Sequence, residues 1–200
     1  MARYTGPKRK LSRREGVALF TKDIKALERK GAVPTRQHMG RSRRRFSEYG
    51  LQLREKQKAK RMYGLLEKQF RRYFETASRS RGNSGLILLE FLESRIDNIV
   101  YRLGFASSRA GARQLVSHGH ILVDGKKTTI PSFKVKVDQV VEISQKLVDN
   151  TQVKKSLQGM DSIPPWLERK ATLGKVLRLP SREEMEKSIN EHLIVEYYSR

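Results

Sequence analysis

The sequence predicts an α+β protein: a helical domain with a basic N-terminal arm, plus a small module of two helices packed on a short antiparallel sheet. Apolar residues recur at helical spacing in residues 47–77, which predicts the helical domain. In residues 89–125 the spacing of apolar residues changes from that of a helix to the alternation of a strand, which predicts the module. We expect the basic, partly extended arm at 1–45, the helical domain at 46–90 joined by 166–200, and the RNA-binding module at 91–165 with its core at 92–144.

The N-terminal arm, residues 1–45, has no sustained apolar period. Its cations include Arg3, Lys8, Arg9, Lys10, Arg13, Arg14, Arg43, Arg44 and Arg45. A segment of this composition commonly orders only on its partner, and the alternative is a solvated tail. Tyr4, Phe20 and Phe46 lie among the cations, which favours base stacking or docking over solvation alone. A short helix is predicted within residues 21–30.

Two amphipathic helices are predicted in the helical domain. The first begins at Ser47 and ends near Tyr63, with Gly64 as its stop. We expect its exposed positions to carry the cations Arg54, Lys56, Lys58, Lys60 and Arg61. The apolar stripe of the second helix is formed by Leu66, Phe70, Tyr73, Phe74 and Ala77. We assign these rings to the core rather than to a binding surface, and Arg71 and Arg72 lie beside them.

Two helices are also predicted in the module. Apolar residues at helical spacing over 89–103 predict the first, and Gly104 stops it. Ser107 or Ser108 caps the second helix, which ends near His118. One stripe of this second helix holds Arg109, Arg113 and Ser117, and the opposite side holds Ala112, Leu115 and Val116. Such a stripe suits phosphate binding, and the alternative is an ordinary surface helix with two solvated arginines.

The rest of the module is predicted to be strands followed by a less regular segment. Apolar residues alternate over 121–123 into Asp124-Gly125, a strong signal for a hairpin turn. Residues 135–143 predict one or two further short strands. Residues 145–165 are less regular, and Trp166 after them is expected to be a packing anchor between parts of the chain.

The C-terminal segment is predicted to end in a helix that supports the helical domain. Ser181 and Glu184 have the spacing of a capping box, which would begin a helix that extends to about His192. The acidic stretch 182–191 of this helix is a candidate surface for a protein partner. Residues 193–200 are too apolar for a free tail, so we expect them to pack on the helices of the helical domain.

Charge points to a polyanionic partner. The chain has 43 Lys and Arg against 21 Asp and Glu, a net charge of +22. Residues 1–81 hold 25 basic and 7 acidic side chains, so they contribute +18 of that charge. Self-repulsion on this scale is offset when phosphates of a nucleic acid are bound and their counterions are released. No apolar run is long enough to span a bilayer and no secretory segment follows Met1, so we expect no membrane partner and a cytoplasmic location.

The sequence gives no indication of catalysis, and we expect no catalytic residue, cofactor or metal. It contains no Cys, which excludes disulfides and thiolate metal sites, and no glycine-rich phosphate loop. His118 and His120 lack an evident third ligand, so contact with RNA or with local backbone groups is the better interpretation. The role of His38 stays open. We interpret Asp97 as a surface carboxylate within a helix.

The module resembles a known RNA-binding family. The stretches that match are residues 92–97, 108–109, 112–116, 118–121, 123–126 and 130–132. They are similar to the RNA-binding module named after ribosomal protein S four. That module also occurs in some pseudouridine synthases, where an Arg-Leu-Asp triplet carries the catalytic aspartate. Here Arg95-Ile96-Asp97 lies in a predicted helix without the Thr- and Gly-rich strand that would follow, so we interpret the triplet as coincidence.

The resemblance extends over the whole chain. Residues 1–7, 12–16, 47–58, 63–64 and 193–200 resemble, in order, motifs of the bacterial small-subunit ribosomal protein S four family. Two features depart from that family. Some members bind zinc through N-terminal cysteines, which are absent here, and residues 35–40 replace a Pro-Gly-Gln-His-Gly turn that many members have.

The resemblance implies a primary binder of small-subunit ribosomal RNA at a junction in the 5′ domain. It further implies that the protein nucleates assembly of the subunit body and contributes to translational accuracy. Ribosomal proteins S five and S three are the implied protein partners, near the channel through which mRNA enters. We expect the module to be one part of a two-part clamp on RNA. The competing hypotheses are a free regulatory RNA-binding protein and an RNA-modifying enzyme that uses the module for targeting.

The expected RNA contacts combine basic residues with polar residues of the module. They are Arg3, Lys8, Arg9, Lys10, Arg13, Arg14, Arg43, Arg44, Arg45, Arg54, Lys58, Arg61, Arg71, Arg72, Ser108, Arg109, Arg113, His118, His120 and Lys126. Most of them are arginines and lysines, because phosphates dominate the affinity of proteins for nucleic acids.

Overall fold

The structure of the chain is a computed structural model, which describes residues 4–20, 23, 47–148, 151–158 and 163–200. It divides into two compact units, one of residues 1–85 with 188–200 and the other of residues 86–187. Several expectations lie outside the described residues. They concern Arg3, the helix within 21–30, His38, Arg43, Arg44, Arg45 and Phe46.

The described chain contains helices and short strands, and the predicted α+β class is confirmed. The helices are α1 (Lys8–Glu15), α2 (Glu48–Met62), α3 (Glu67–Ser78), α4 (Ser84–Glu93), α5 (Ile96–Arg102), α6 (Arg109–Ser117), α7 (Gln145–Val148), α8 (Thr151–Gln158) and α9 (Glu191–Tyr198). The strands are β1 (Ile121–Val123), β2 (Lys126–Thr128), β3 (Val140–Ile143), β4 (Leu167–Lys170) and β5 (Leu173–Val176). None of the described helices is long and apolar enough to cross a membrane.

The first unit is built around α2, α3 and α9. Ser47 caps α2, because its Oγ accepts a hydrogen bond from Gly50 N–H at 3.2 Å. The apolar side of α3 is buried, and the Tyr198 ring of α9 stacks on Phe74 with centroids 4.5 Å apart. Stacked aromatic pairs of this kind add to the stabilisation that burial provides. The expectation that the C-terminal residues pack on the helical domain is confirmed.

The second unit has one five-stranded antiparallel sheet in the order β2-β1-β3-β5-β4. Asp124 and Gly125 both have positive φ, 50° and 75°, as a two-residue hairpin turn between β1 and β2 requires. One face of the sheet buries side chains of α5 and α6, and Trp166 lies fully within that core. The predicted hairpin and the predicted packing of two helices on an antiparallel sheet are therefore confirmed.

The helix predicted over residues 89–103 is broken in the structure. Helix α4 ends at Glu93 and α5 begins at Ile96, with Arg95 in an extended conformation that pairs with Lys134. Val135 N–H donates to the carbonyl of Ser94 at 3.0 Å, so tertiary pairing replaces helical hydrogen bonds there. The surface position expected for Asp97 is also wrong: it is 5% exposed and Arg95 Nη2 donates to its Oδ2 at 2.6 Å.

Three expectations for the C-terminal half differ from the structure. Residues 145–165, which we expected to be less regular, contain α7 and α8. Residues 166–200, which we expected to join the helical domain, contain β4 and β5, and these strands extend the sheet of the module. Of those residues, only 188–200 lie in the first unit. Ser181 and Glu184 form the predicted capping box, but it begins a single 3-10 turn because Met185 is extended and buried. The acidic helix expected at 182–191 is therefore not formed.

Candidate nucleic-acid interface

The most exposed group of predicted RNA-binding residues lies on α1. Five of them are exposed there: Lys8, Arg9, Lys10, Arg13 and Arg14. The helix is held from its other side by Ser12, which is buried and donates to the carboxylate of Asp23. Gly16 ends the helix with φ of 71°, a conformation that favours glycine. Helix α1 therefore presents a basic surface although it belongs to the arm that we expected to be partly extended.

Two predicted contacts on α2, Arg54 and Arg61, face a carboxylate of their own chain. The Glu15 side chain is only 1% exposed, and it accepts from Arg54 Nη1 at 3.4 Å and from Arg61 Nη1. Burial lowers the pKa of Arg61, while the attraction of Glu15 opposes that change. These two guanidiniums hold α1 on α2, so only part of each can contact phosphates.

The lysines of α2 do not all have the exposed positions that we predicted. Lys58 is buried, and its Nζ donates to the carbonyl of Ser188 at 2.6 Å and lies 2.5 Å from Glu55 Oε1. Lys56 is buried as well, with Nζ 2.8 Å from Glu67 and 4.3 Å from the centre of the Tyr197 ring. Both lysines are covered because α9 and the residues before it pack on this side of α2. The geometry gives Lys58 a structural position rather than a free surface.

Glu67 is the acceptor that gathers this group of cations. Its carboxylate accepts from Lys56 and Lys60 at 2.8 Å and from the Tyr198 hydroxyl at 2.9 Å. Burial by itself would raise the pKa of Glu67, but these three hydrogen bonds outweigh burial and lower the pKa to about 2. Burial and the bond to Glu67 in turn raise the pKa of Tyr198.

Helix α3 and the turn after it present a second basic surface. Arg71 and Arg72 are exposed as predicted, and Arg71 Nε donates to Glu75 at 3.0 Å on the same helix. Three further exposed cations were not among the predicted contacts: Lys68, Arg79 and Arg81. The spacing of four between Lys68 and Arg72 places both on the face opposite the buried aromatics, a signal that could have identified Lys68.

The arginines of α6 point into an ionic network of the second unit. Ser108 caps the helix, since its Oγ accepts from Gly111 N–H at 3.2 Å. Arg109 donates to Asn98 Oδ1 at 2.9 Å and to Glu186 Oε1 at 2.5 Å, and its guanidinium lies 4.7 Å from the Tyr101 ring centre. The side chain is 16% exposed. Arg109 is therefore only marginally accessible to a phosphate.

Arg113 and the neighbouring carboxylates complete this network. Arg113 Nη1 lies 3.9 Å from Asp97, which also accepts two hydrogen bonds from Arg95. Arg102 donates to Glu93 at 2.7 Å and to Glu186 at 3.2 Å. Buried charges of this kind are stable only when each is paired and hydrogen-bonded. The arginines that we predicted to face phosphates thus also form ion pairs that hold α5, α6 and Glu186 together.

The turn from α6 to β1 brings the predicted histidines next to a lysine that we did not predict. The rings of His118 and His120 are 6.1 Å apart, and Gly119 between them has φ of 71°. A Cβ at Gly119 would lie 2.0 Å from a carbon of the Lys127 side chain, so that lysine crosses directly over the turn. Burial, then His118 and Lys127, lower the pKa of His120, which favours its neutral form.

The two histidines also border an open cleft of about 240 Å³ in the second unit. Its walls come from the residues around the start of α6, from α6 itself and from α7 and α8. Lys126 and Lys127 are exposed on β2. The candidate interface of this unit therefore includes the exposed Lys126 and Lys127, the two histidines that border the cleft, and the paired arginines of α6.

Comparison with known proteins covers the full length of the chain. Residues 3–93 match the family described as Ribosomal protein S4/S9 N-terminal domain, and residues 94–141 match the S4 domain. Proteins named small ribosomal subunit protein uS4 are 55% identical over 207 residues in Dictyoglomus turgidum, 53% over 207 in Variovorax paradoxus and 50% over 206 in Chloroflexus aurantiacus. In each case the alignment covers 100% of this chain and 100% of the relative.

Proposed function

The chain belongs to the small ribosomal subunit protein uS4 family, and from that membership we propose that it binds ribosomal RNA as a structural component of the small subunit in the cytoplasm. The observation that carries this proposal is the pair of exposed basic surfaces on α1 and α3, which belong to a chain with a net charge of +22. The protein has no catalytic role, in keeping with relatives that are named as ribosomal proteins.

The exposed and the paired cations have different roles in this proposal. Exposed cations such as Lys8, Arg13 and Arg72 contact phosphates directly, because their side chains reach solvent. The main role of the paired arginines is to position the helices that carry the exposed groups; these arginines are Arg54, Arg61, Arg109 and Arg113. Recognition depends mainly on the shape and phosphates of A-form RNA, whose deep major groove excludes side chains.

We further propose that the RNA target is a multi-helix junction in the 5′ domain and that binding there nucleates assembly of the subunit body. Support comes from the full-length similarity to uS4 proteins and from basic surfaces in both units of the chain. The proposed partners besides RNA are ribosomal proteins S five and S three, and mRNA near the channel through which it enters. Contact with S five would be the route to an effect on translational accuracy.

Binding of purified chain to 5′-domain RNA over a range of salt concentrations tests the central proposal. If about ten phosphates are neutralised, a log-log plot of affinity against salt should have a slope of about −7 to −9. A slope near −2, or the absence of a footprint on this RNA, would contradict the proposal. Co-sedimentation with small subunits at high salt distinguishes a ribosomal component from a free regulatory protein. An assay for new pseudouridine in purified RNA incubated with the chain distinguishes it from a modifying enzyme.

A further inference from the structure

The cleft in the second unit differs chemically from the rest of the candidate interface. Its described lining contains no Lys, Arg, Asp or Glu side chain, although the chain as a whole is strongly basic. The floor is apolar and includes Phe105, Leu115 and Val153, of which Phe105 and Val153 are buried. The rim is polar and neutral and includes Gln114, His118 and Ser156. This lining does not suit a phosphate, which is bound by cations or by several backbone N–H groups.

An apolar floor with a neutral polar rim matches a flat heteroaromatic group with hydrogen-bonding edges. The Gln114 amide offers both a donor and an acceptor, and it is exposed at the rim. His118 adds a ring that can stack or hydrogen-bond. Nucleobases that are splayed out of single-stranded RNA are recognised in this way, by stacking and by bonds to their edges.

The cleft is held open by bonds that do not involve its floor. Ser144 N–H donates to the carbonyl of His120 at 2.9 Å, which fixes the start of α7 beside the turn. Arg169 donates to the carbonyls of Leu103 and Leu157, at 2.9 and 3.4 Å, and so ties α8 to the end of α5. A site fixed in this way needs little rearrangement on binding.

Exposed cations are sequence neighbours of residues that line the cleft. Lys146 is adjacent to Leu147, and Lys154 is adjacent to Val153, and both Leu147 and Val153 line the cleft. Lys127 crosses over the turn that carries His118. If a base enters the cleft, exposed lysines such as Lys127 and Lys146 are candidates to contact the flanking phosphates, a division between base and backbone contacts that is general for RNA.

We propose that this cleft binds a single unstacked base of the ribosomal RNA. The inference rests on the proposed function and adds to it one specific, uncharged contact among many phosphate contacts. The loss of one stacked base typically weakens single-strand binding by about tenfold, so the contribution is measurable against the total affinity.

The test uses the full chain bound to 5′-domain RNA, with base edges probed by dimethyl sulfate and a carbodiimide and the backbone probed by hydroxyl radicals. Two variants alter the cleft: Gln114→Ala removes the rim amide, and Ser107→Trp places a bulky ring at the exposed lip. Gln145→Ala is the matched control, because it removes another exposed amide of the same unit that does not line the cleft.

We expect the unaltered chain and Gln145→Ala to protect the base edge of one unpaired nucleotide. Gln114→Ala and Ser107→Trp should lose that protection and keep the backbone footprint. An abasic substitution at the same nucleotide should then weaken RNA binding by the unaltered chain by about tenfold. It should leave RNA binding by Ser107→Trp almost unchanged.

Two outcomes would overturn the proposal. One is a normal footprint in which neither cleft variant changes any base reactivity, which would leave the proposed function intact. The other is loss of the entire backbone footprint in both variants, which would mean that these residues support the fold rather than one base. If the unaltered chain itself leaves no footprint, the proposed function fails as well.

Discussion

Arg109 and Glu186 form an ion pair in the second unit, with Nη2 2.5 Å from Oε1. Arg102 reaches the same carboxylate at 3.2 Å, so Glu186 occupies a place between two guanidiniums that a phosphate oxygen could also occupy. The carboxylate is 22% exposed, and the two arginines are 16% and 18% exposed. Glu186 therefore limits how strongly these arginines can contribute to binding of RNA.

Replacement of Glu186 by Gln should strengthen RNA binding. The amide keeps the size of the side chain but removes the negative charge that competes with phosphate for Arg102 and Arg109. One additional phosphate contact would make the log-log salt slope steeper by about 0.7 to 0.9. Affinity for 5′-domain RNA, measured at several salt concentrations, provides the comparison.

Glu183→Gln is the matched control, since Glu183 is exposed and three residues away in the same segment. It makes the same change in net charge without altering the network. Equal slopes for both variants would assign any gain to net charge alone. Weaker binding by Glu186→Gln would show that the carboxylate positions Arg109 instead of competing for it.

Local features of the sequence were sufficient to predict the caps and the turn of this fold. Ser47 and Ser108 accept hydrogen bonds from backbone N–H groups three residues later, and Asp124 and Gly125 both adopt the positive φ that their residue types favour in a turn. The break after Glu93 could not be predicted in this way. It depends on pairing between Arg95 and Lys134, which are distant in the sequence.

The candidate interface shows the same division between local and tertiary information. Lys58 and Lys68 are both lysines on predicted amphipathic helices, yet Lys58 is buried and Lys68 is exposed. The difference arises because residues near the C-terminus cover Lys58, where the carbonyl of Ser188 accepts its hydrogen bond. Charge patterns identified the basic surfaces, but they could not show which cations have partners within the fold.

A pair of lysine variants should separate stability from RNA binding. Lys58→Met removes a buried ammonium that bonds Ser188 and Glu55, so it should lower the free energy of unfolding by about 2 kcal/mol. Lys68→Met should leave that free energy nearly unchanged and make the salt slope shallower by about 0.7 to 0.9. Denaturant unfolding and RNA titration of both variants measure the two quantities. The reverse assignment, with Lys68 stabilising and Lys58 binding, would contradict the structure.

Acid should destabilise the first unit partly through Glu67. Its pKa in the folded chain is about 2, below the ordinary value of 4.5 for an unfolded chain. A lowered pKa means that the stabilisation is complete above pH 4.5 and is lost as the pH falls toward 2. Denaturant unfolding at several pH values in this window should show that loss, and Glu67→Gln should remove part of the pH dependence.

Glu75→Gln is a suitable comparison for Glu67→Gln, because Glu75 lies on the exposed side of the same helix, where its carboxylate pairs with Arg71 one turn away. It should leave the pH dependence between 4.5 and 2 almost as it is in the unaltered chain. Glu184, whose pKa is also lowered to about 2 through its bond with Arg178, titrates in the same window in both variants. Identical pH profiles for the two variants would contradict the role assigned to Glu67.

Loss of the Glu15 carboxylate should release α1 from α2. In Glu15→Gln the guanidiniums of Arg54 and Arg61 would face each other without the buried charge that now separates them. Breaking a buried ion pair commonly costs several kcal/mol, and partial exposure of both arginines reduces the expected cost here to about 2 kcal/mol. Amide hydrogen exchange should become faster throughout Lys8–Glu15 while α3 keeps its protection.

Glu48→Gln is the control for that experiment, because it removes an exposed carboxylate whose pair with Arg200 is largely solvated. Exposed pairs contribute about 0.5 kcal/mol, so exchange in α1 should not change. RNA affinity supplies a second comparison: five exposed cations on α1 can act together only while the helix is held in place. If Glu15→Gln left both exchange and RNA affinity unaltered, the basic surface of α1 would not depend on its packing against α2.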